Sequence, residues 1–174
     1  MQKVELSLGP IILVGIKTRT NYQTELDKLG GKIFPCVQKY FHQQIFNKIF
    51  HRKKPGTTYC VYTDYTSDYL GEYTYFIGEE VSSTNNQPTD LETLVIPAQT
   101  YSKFTTGPDS MPHVIVNAWQ KIWQMSPVQL GGKRNYTADF EIYDERARDH
   151  SQIILDIYIG ITKINIQVGN YSNE

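Results

Sequence analysis

Apolar and polar positions along this chain repeat mostly with a period of two, the spacing of strands, and with a helical period in two places only. Val4, Leu6 and Leu8 alternate with Glu5 and Ser7, Gly9-Pro10 interrupts, and Ile11 to Lys17 resumes as a buried run. Residues 4–19 therefore read as one bent strand or two short ones. Thr58 to Asp64 and Glu72 to Glu80 flank the turn-rich segment Tyr65 to Gly71 and predict an antiparallel hairpin. Leu94 to Phe104 predicts a further strand, in which Pro97 demands an edge or a bulge because it donates no ladder hydrogen bond. Asn135 to Arg146 predicts another. In the last strand, Gln152 to Lys163, Ile153, Leu155, Ile157, Ile159 and Ile161 share one face, with Asp156 and Tyr158 on the other.

The helical spacings are equally local. Val37, Phe41, Ile45 and Ile49 recur every four residues, with Pro35 suited to a first turn and Pro55-Gly56 to a stop. Ile115, Ala118, Trp119, Ile122 and Trp123 form a broad apolar stripe on a second helix, begun near Ser110 to Pro112 and ended by Ser126-Pro127. Thr18 to Gly31 and Val81 to Asp90 are polar and read as loops, and the end of the chain is a polar tail, 169–174.

The two helical segments sit at matching places in a repeat. Tyr73-Thr-Tyr-Phe-Ile-Gly78 matches Leu155-Asp-Ile-Tyr-Ile-Gly160, and Tyr62-Thr-Asp64 matches Ile142-Tyr-Asp144. The expected architecture is α+β: two β-α-β-β units, 1–85 and 90–168, related by a pseudo-two-fold axis within a single domain, 1–174. Together they make a curved antiparallel sheet of about eight strands with two helices on one face and a groove between the helices. The two halves consume the chain, so no DNA-binding domain is expected.

Composition narrows the partners. A chain of 174 residues can bury a substantial core, and a net charge of −1 lacks the basic excess that holds a nucleic-acid backbone, so direct nucleic-acid binding is not expected. The apolar run Ile11 to Ile16 is too short to span a bilayer, and the start MQKVELSLGP has no signal-peptide pattern. Cys36 and Cys60 form no CxxC pair, which suits reduced thiols in the cytoplasm, and the four histidines show no metal-ligand spacing. No cofactor is implied. Tyrosine is the distinctive component, 13 residues against 7 Phe and 2 Trp, and its ring with a polar tip suits ligand sites as well as half-buried sheets.

One residue stands out chemically. Glu141 lies between Phe140 and Ile142 in a strand. Either Phe140 and Ile142 face a core and Asp139, Glu141 and Tyr143 face water, or Glu141 and Tyr143 line a pocket where a buried carboxylate meets a cation.

Three motifs resemble the GyrI-like proteins, which share the effector-binding domain of AraC-type and MerR-type multidrug regulators. They are Gly71-Glu-Tyr-Thr-Tyr-Phe-Ile-Gly-Glu-Glu-Val81, Ile96-Pro-Ala-Gln-Thr-Tyr-Ser-Lys-Phe104 and Phe140-Glu-Ile-Tyr143. Gln99 stands where the family pattern has Gly, and the first helix carries Phe41 and Phe46 but no Trp. The resemblance implies the duplicated fold and places Glu141 in a pocket for cationic, aromatic ligands. Tyr62, Tyr75, Tyr143 and Tyr158 from the sheet, with Trp119 and Trp123, are the candidate ring contacts, since aromatic faces attract cations.

Three functions follow as expectations. The first is a stand-alone binder of amphipathic cationic or aromatic small molecules, a sink or a sensor whose output belongs to a separate protein. The second, implied by the resemblance, is a hydrolase of strained cyclopropane-containing compounds with Glu141 as general base. A lone carboxylate without a nucleophile–base pair favours binding over catalysis. The third is a gyrase-modulating, protein-binding module, with Asp64, Asp68, Glu72, Glu79 and Glu80 as an acidic surface.

Overall fold

The computed structural model describes residues 1–27 and 29–164. Its elements in chain order are β1 Gln2–Leu8, β2 Ile11–Asn21, α1 Tyr22–Leu26, α2 Ile33–His42, β3 Thr58–Thr63 and β4 Glu72–Glu80, then β5 Glu92–Ile96, β6 Gln99–Asp109, α3 His113–Trp123, α4 Pro127–Leu130, β7 Lys133–Arg134, β8 Ala138–Tyr143 and β9 Ile153–Thr162. The nine strands among the described residues join one antiparallel sheet in the order β1-β6-β9-β8-β3-β4-β2-β5, with the short β7 pairing the end of β9. Exchanging β1 with β5, β2 with β6, β3 with β8 and β4 with β9 turns this order into its own reverse. The duplication in the sequence is thus a two-fold relation in space, with its axis between the central pair β3 and β8.

Each half opens with two strands: of the two readings of residues 4–19 the pair of strands holds, and the strand expected over Leu94 to Phe104 is divided as well. They are split at Gly9-Pro10 and at Pro97-Ala98, where chain breakers stand. These two-residue links shape the whole sheet. β1 and β2 are six positions apart in the strand order, about 29 Å in a flat sheet. The three Cα steps from Leu8 to Ile11 span at most about 11 Å. The sheet therefore curls until its two ends meet, and the Pro97-Ala98 link between β5 and β6 imposes the same closure. Gly78 of β4 lies opposite Gly15 of β2, and a side chain on either would strike the other strand's backbone, so the glycines allow the close approach that the bend needs.

The curl gives two buried faces. Strand residues alone (Leu13, Val61, Phe76, Tyr101, Phe140 and Tyr158 among them) make the core inside it. The other face carries the helices. α2 seals Val14, Ile16, Tyr75 and Ile77 with Cys36 and Tyr40, while α3 seals Phe104 and the isoleucine row of β9 with Val114, Ala118, Trp119 and Ile122. The isoleucine stripe predicted in β9 is this second contact.

Several expectations are corrected. The first helix ends at His42; Gln44 adopts a left-handed conformation (φ 49°) and redirects the chain into a 3-10 turn, which still buries Ile45 and Ile49. Because the helix stops there, its core residues are Cys36 and Tyr40, and Phe41 remains 48% exposed. Ser126-Pro127 does not merely end α3: Ser126 and Gln129 form a capping box that starts α4. The loop expected over Thr18 to Gly31 contains the end of β2 and all of α1. The polar tail 169–174 and the end of the second half-repeat, 165–168, lie outside the described residues. Among the described residues no helix is long and apolar enough to cross a membrane.

Candidate functional site

Glu141 sits in the central strand pair, opposite Cys60 of β3. Both faces of β8 are buried, so the choice between a solvated face and a core face does not arise: Phe140 is inside the curl, and Glu141, 3% exposed, lies under the helices. Three neutral donors hold its carboxylate. Tyr62 Oη donates to Oε1 at 3.0 Å, Trp119 Nε1 to the same oxygen at 2.7 Å, and Tyr143 Oη to Oε2 at 2.7 Å. Tyr62 comes from the first half and Tyr143 from the second, so each half brings a hydroxyl to one carboxylate. Burial raises the pKa of Glu141 above the usual carboxylate range, against the pull of these hydrogen bonds.

Above this group lies a cavity of about 320 Å3, bounded by α1, α2, α3, the β3–β4 loop and the sheet. Its walls are mainly aromatic. Trp119 and Trp123 have ring centroids 6.1 Å apart, Tyr62 meets Trp119 edge-on at 5.3 Å, and Tyr22 meets Trp123 edge-on at 6.2 Å. Trp123 is 47% exposed, so its indole is available to a ligand without breaking the core. A second cavity of about 230 Å3 lies across Trp123 and shares Tyr69 and Arg134 with the first.

The candidate residues are therefore distributed as follows. Tyr62, Trp119 and Trp123 line the cavity. Glu141 and Tyr143 are not among its lining residues: they lie one layer deeper, where the rings of Tyr62 and Trp119 cover the carboxylate. Tyr75 pairs with Tyr62 across the β3–β4 ladder, its ring 5.4 Å away, and is buried behind it. Tyr158 is a correction. In the β8–β9 register it pairs with Phe140 and not with Glu141, so it points into the opposite core, stacked on Phe140 at 4.5 Å. The face of a strand residue is set by parity, which the sequence carries; the relative register of β8 and β9 is not.

The cavity also uses residues that sequence reasoning passed over. Tyr65, Tyr69 and Tyr73 come from the hairpin, and Tyr22 and Glu25 from α1. The signal for α1 was present: Asn21 is a helix-capping residue, and its Oδ1 accepts the Thr24 amide at 2.8 Å. Arg134 completes the wall, its guanidinium 5.7 Å from the centre of the Trp119 ring. Asp139, fully buried, neutralises it at 2.6 Å, while Tyr65 Oη donates to Asp139 at 2.8 Å. Gln99, the departure from the family motif, ties β6 to its surroundings: its amide donates to the Ala138 carbonyl and accepts from Asn135.

The acidic surface expected for protein binding is not a single exposed field. Glu79 is 1% exposed and held by Arg52 and the Gly56 amide, Glu80 pairs with Lys53, and Glu72 with Arg19. Among the described residues no group of His, Cys, Asp or Glu has the arrangement of a metal site.

A curled, duplicated antiparallel sheet with an aromatic cavity beneath its helices defines an effector-binding module of the GyrI-like kind. The chain belongs to the family of integron-associated effector-binding proteins, Cass2, whose family model matches residues 7–161. It is 24% identical over 149 residues to YobU of Bacillus subtilis (strain 168), described as a candidate transcriptional regulator; the match covers 86% of this chain and 91% of that protein. In fold it is similar to the integron cassette protein VCH_CASS2 of Vibrio cholerae, with a TM-score of 0.73 at 20% identity over 92% of this chain and 95% of that one. It is also similar to SAV2435, whose structure holds tetraphenylphosphonium, with a TM-score of 0.70 at 15% identity over 93% and 94% of the two chains.

Proposed function

We propose that this effector-binding protein takes up lipophilic aromatic cations in the cavity between α1, α3 and the sheet. One observation carries the reading: the carboxylate of Glu141 is buried against the aromatic wall and, among the described residues, is held by tyrosine and indole donors only, so none of these partners cancels its charge. A large organic cation sheds little hydration on entering, and each ring face adds roughly 0.5–2 kcal/mol of cation–π attraction. Trp119, Trp123 and Tyr62 are the ring contacts, and Glu141 supplies negative potential from behind them. The tetraphenylphosphonium bound by SAV2435 supports this class of ligand. On this reading the chain is a cytoplasmic sink or sensor, with its output passed to a protein partner.

Thermal unfolding with tetraphenylphosphonium tests the proposal. At about 100 times its dissociation constant a ligand adds roughly 2.7 kcal/mol, a Tm rise of about 5–10 °C at this chain length. The compound is expected back unchanged by mass, as binding without turnover requires. No stabilisation by this probe or by other lipophilic aromatic cations would refute the reading.

A further inference from the structure

Two carboxylates stand near this cavity, and they stand differently. Glu141 lies beneath the Tyr62 and Trp119 rings, whereas Glu25 is itself part of the wall and is only partly buried. Among the described residues Glu25 is the one acidic side chain lining the cavity, and Arg134 is the one basic side chain. The charge of Arg134 is already met by Asp139 at 2.6 Å. Glu25 has a different set of partners. Its Oε1 accepts from the Thr20 hydroxyl and, at 2.9 Å, from the Lys32 amide; its Oε2 accepts from the Ile33 amide at a long 3.3 Å. Among the described residues these donors are neutral, so they orient the carboxylate without cancelling its charge, and Oε2, with its one long hydrogen bond, retains acceptor capacity. Its negative field also reaches Tyr73, another wall residue, whose hydroxyl it helps to hold protonated after burial has done most of that work.

Resting on the reading that the cavity holds a small molecule, we infer that Glu25 is the charge-selecting residue of the site. The ligand's cationic centre lies at the α1 end of the cavity, against Glu25, while its aromatic part packs on Trp119 and Trp123. Glu141 then adds a weaker negative field from beneath the rings and fixes the Tyr62 hydroxyl and the Trp119 indole, while Glu25 is the carboxylate that the cation meets. The arrangement also ties occupancy to a backbone element. Glu25 bonds the amides of Lys32 and Ile33 at the start of α2, where Lys32 provides no side-chain cap, so a cation drawn to Glu25 acts on the entry of that helix.

The test compares two phenyl-bearing phosphorus probes, tetraphenylphosphonium with four rings and a positive charge and triphenylphosphine oxide with three rings and none; the difference in ring number cancels when each variant's ratio is set against that of wild type. Quenching of Trp119 and Trp123 fluorescence gives both affinities in wild type, Glu25→Gln and Glu141→Gln. Glutamine keeps the oxygen that accepts from Thr20 and Lys32, so α2 stays capped and unfolding temperatures are expected to stay close to wild type. Glu25→Gln is expected to lower the cation-over-neutral ratio about tenfold or more and to leave the neutral probe unchanged; Glu141→Gln is expected to shift that ratio only about threefold. An unchanged ratio in Glu25→Gln, or the larger loss in Glu141→Gln, overturns the inference while leaving the site intact. Neither probe binding wild type would fail the functional reading itself. Should Glu25→Gln not fold, wild-type protein answers: tetraphenylphosphonium must protect Glu25 from carbodiimide coupling, read by peptide mass, and an absence of protection counts equally against it.

Discussion

A glutamate with no basic partner among the described residues survives at the centre of this sheet because three side chains point donors at it. Tyr62, Tyr143 and Trp119 recover part of the solvation that burial removes from Glu141, yet its pKa remains raised. The consequence for stability has a definite sign. An unfolded glutamate releases its proton near pH 4.3, and between there and the raised folded value the native state holds more protons, so native stability falls as pH rises. Glu141→Gln removes that titration. Its Oε1 still accepts from Tyr62 and Trp119, and its amide can donate to the Tyr143 hydroxyl. We expect the unfolding temperature of Glu141→Gln, relative to wild type, to be higher at pH 8 than at pH 5; a constant difference would show that Glu141 does not titrate in this range. Trp119→Phe takes away an indole donor while leaving the carboxylate buried, and is expected to cost about 1.5–3 kcal/mol by chemical denaturation.

At the scale of elements, a five-residue helix does more for the site than its length suggests. α1 carries Tyr22 and Glu25 into the cavity wall, and Asn21 caps its start. A helix this short does not persist by propensity, so its cap and its contacts hold it. Asn21→Ala is expected to cost about 1 kcal/mol, with faster amide exchange in α1 and at the start of α2 and weaker probe binding. Unaltered exchange there would mean that packing alone fixes α1. The β3–β4 hairpin and β9 were legible because their alternation is long and bounded by turn residues. α1 was not, because its polar positions and following glycines outweigh a single capping residue. The helix α2 was legible in place but not in its buried face: a four-residue spacing continued past Gln44, where the backbone turns left-handed.

For the molecule as a whole, the curl of the sheet is the organising fact. It buries the helix-free face without a second layer, and it sets the two-fold axis at the β3–β8 pair, where Tyr62 and Tyr143 converge on Glu141. Gly78 and Gly15 face each other at the bend. Gly78→Ala places a methyl group against the Val14 carbonyl, and is expected to destabilise the protein by about 1–3 kcal/mol, spread over both halves because the sheet is continuous. A mutant as stable as wild type would show that the two strands can separate without loss.

The sequence by itself determined most of the strands, the two packed helices, the duplication and the motif that singles out Glu141, because each is a local pattern of apolar spacing, turn residues or repeat. Tertiary structure alone decided which rings line the cavity. Tyr75, Tyr143 and Tyr158 look alike in the chain, yet strand pairing places the first two behind the cavity wall and the third in the opposite core. It also placed Glu25 in the wall and Glu141 beneath it. The reason is physical: the face a residue presents is periodic and therefore readable, whereas the depth at which it lies depends on strand register, sheet curvature and the segments that cross above it, all of which are set by contacts between residues far apart in the chain.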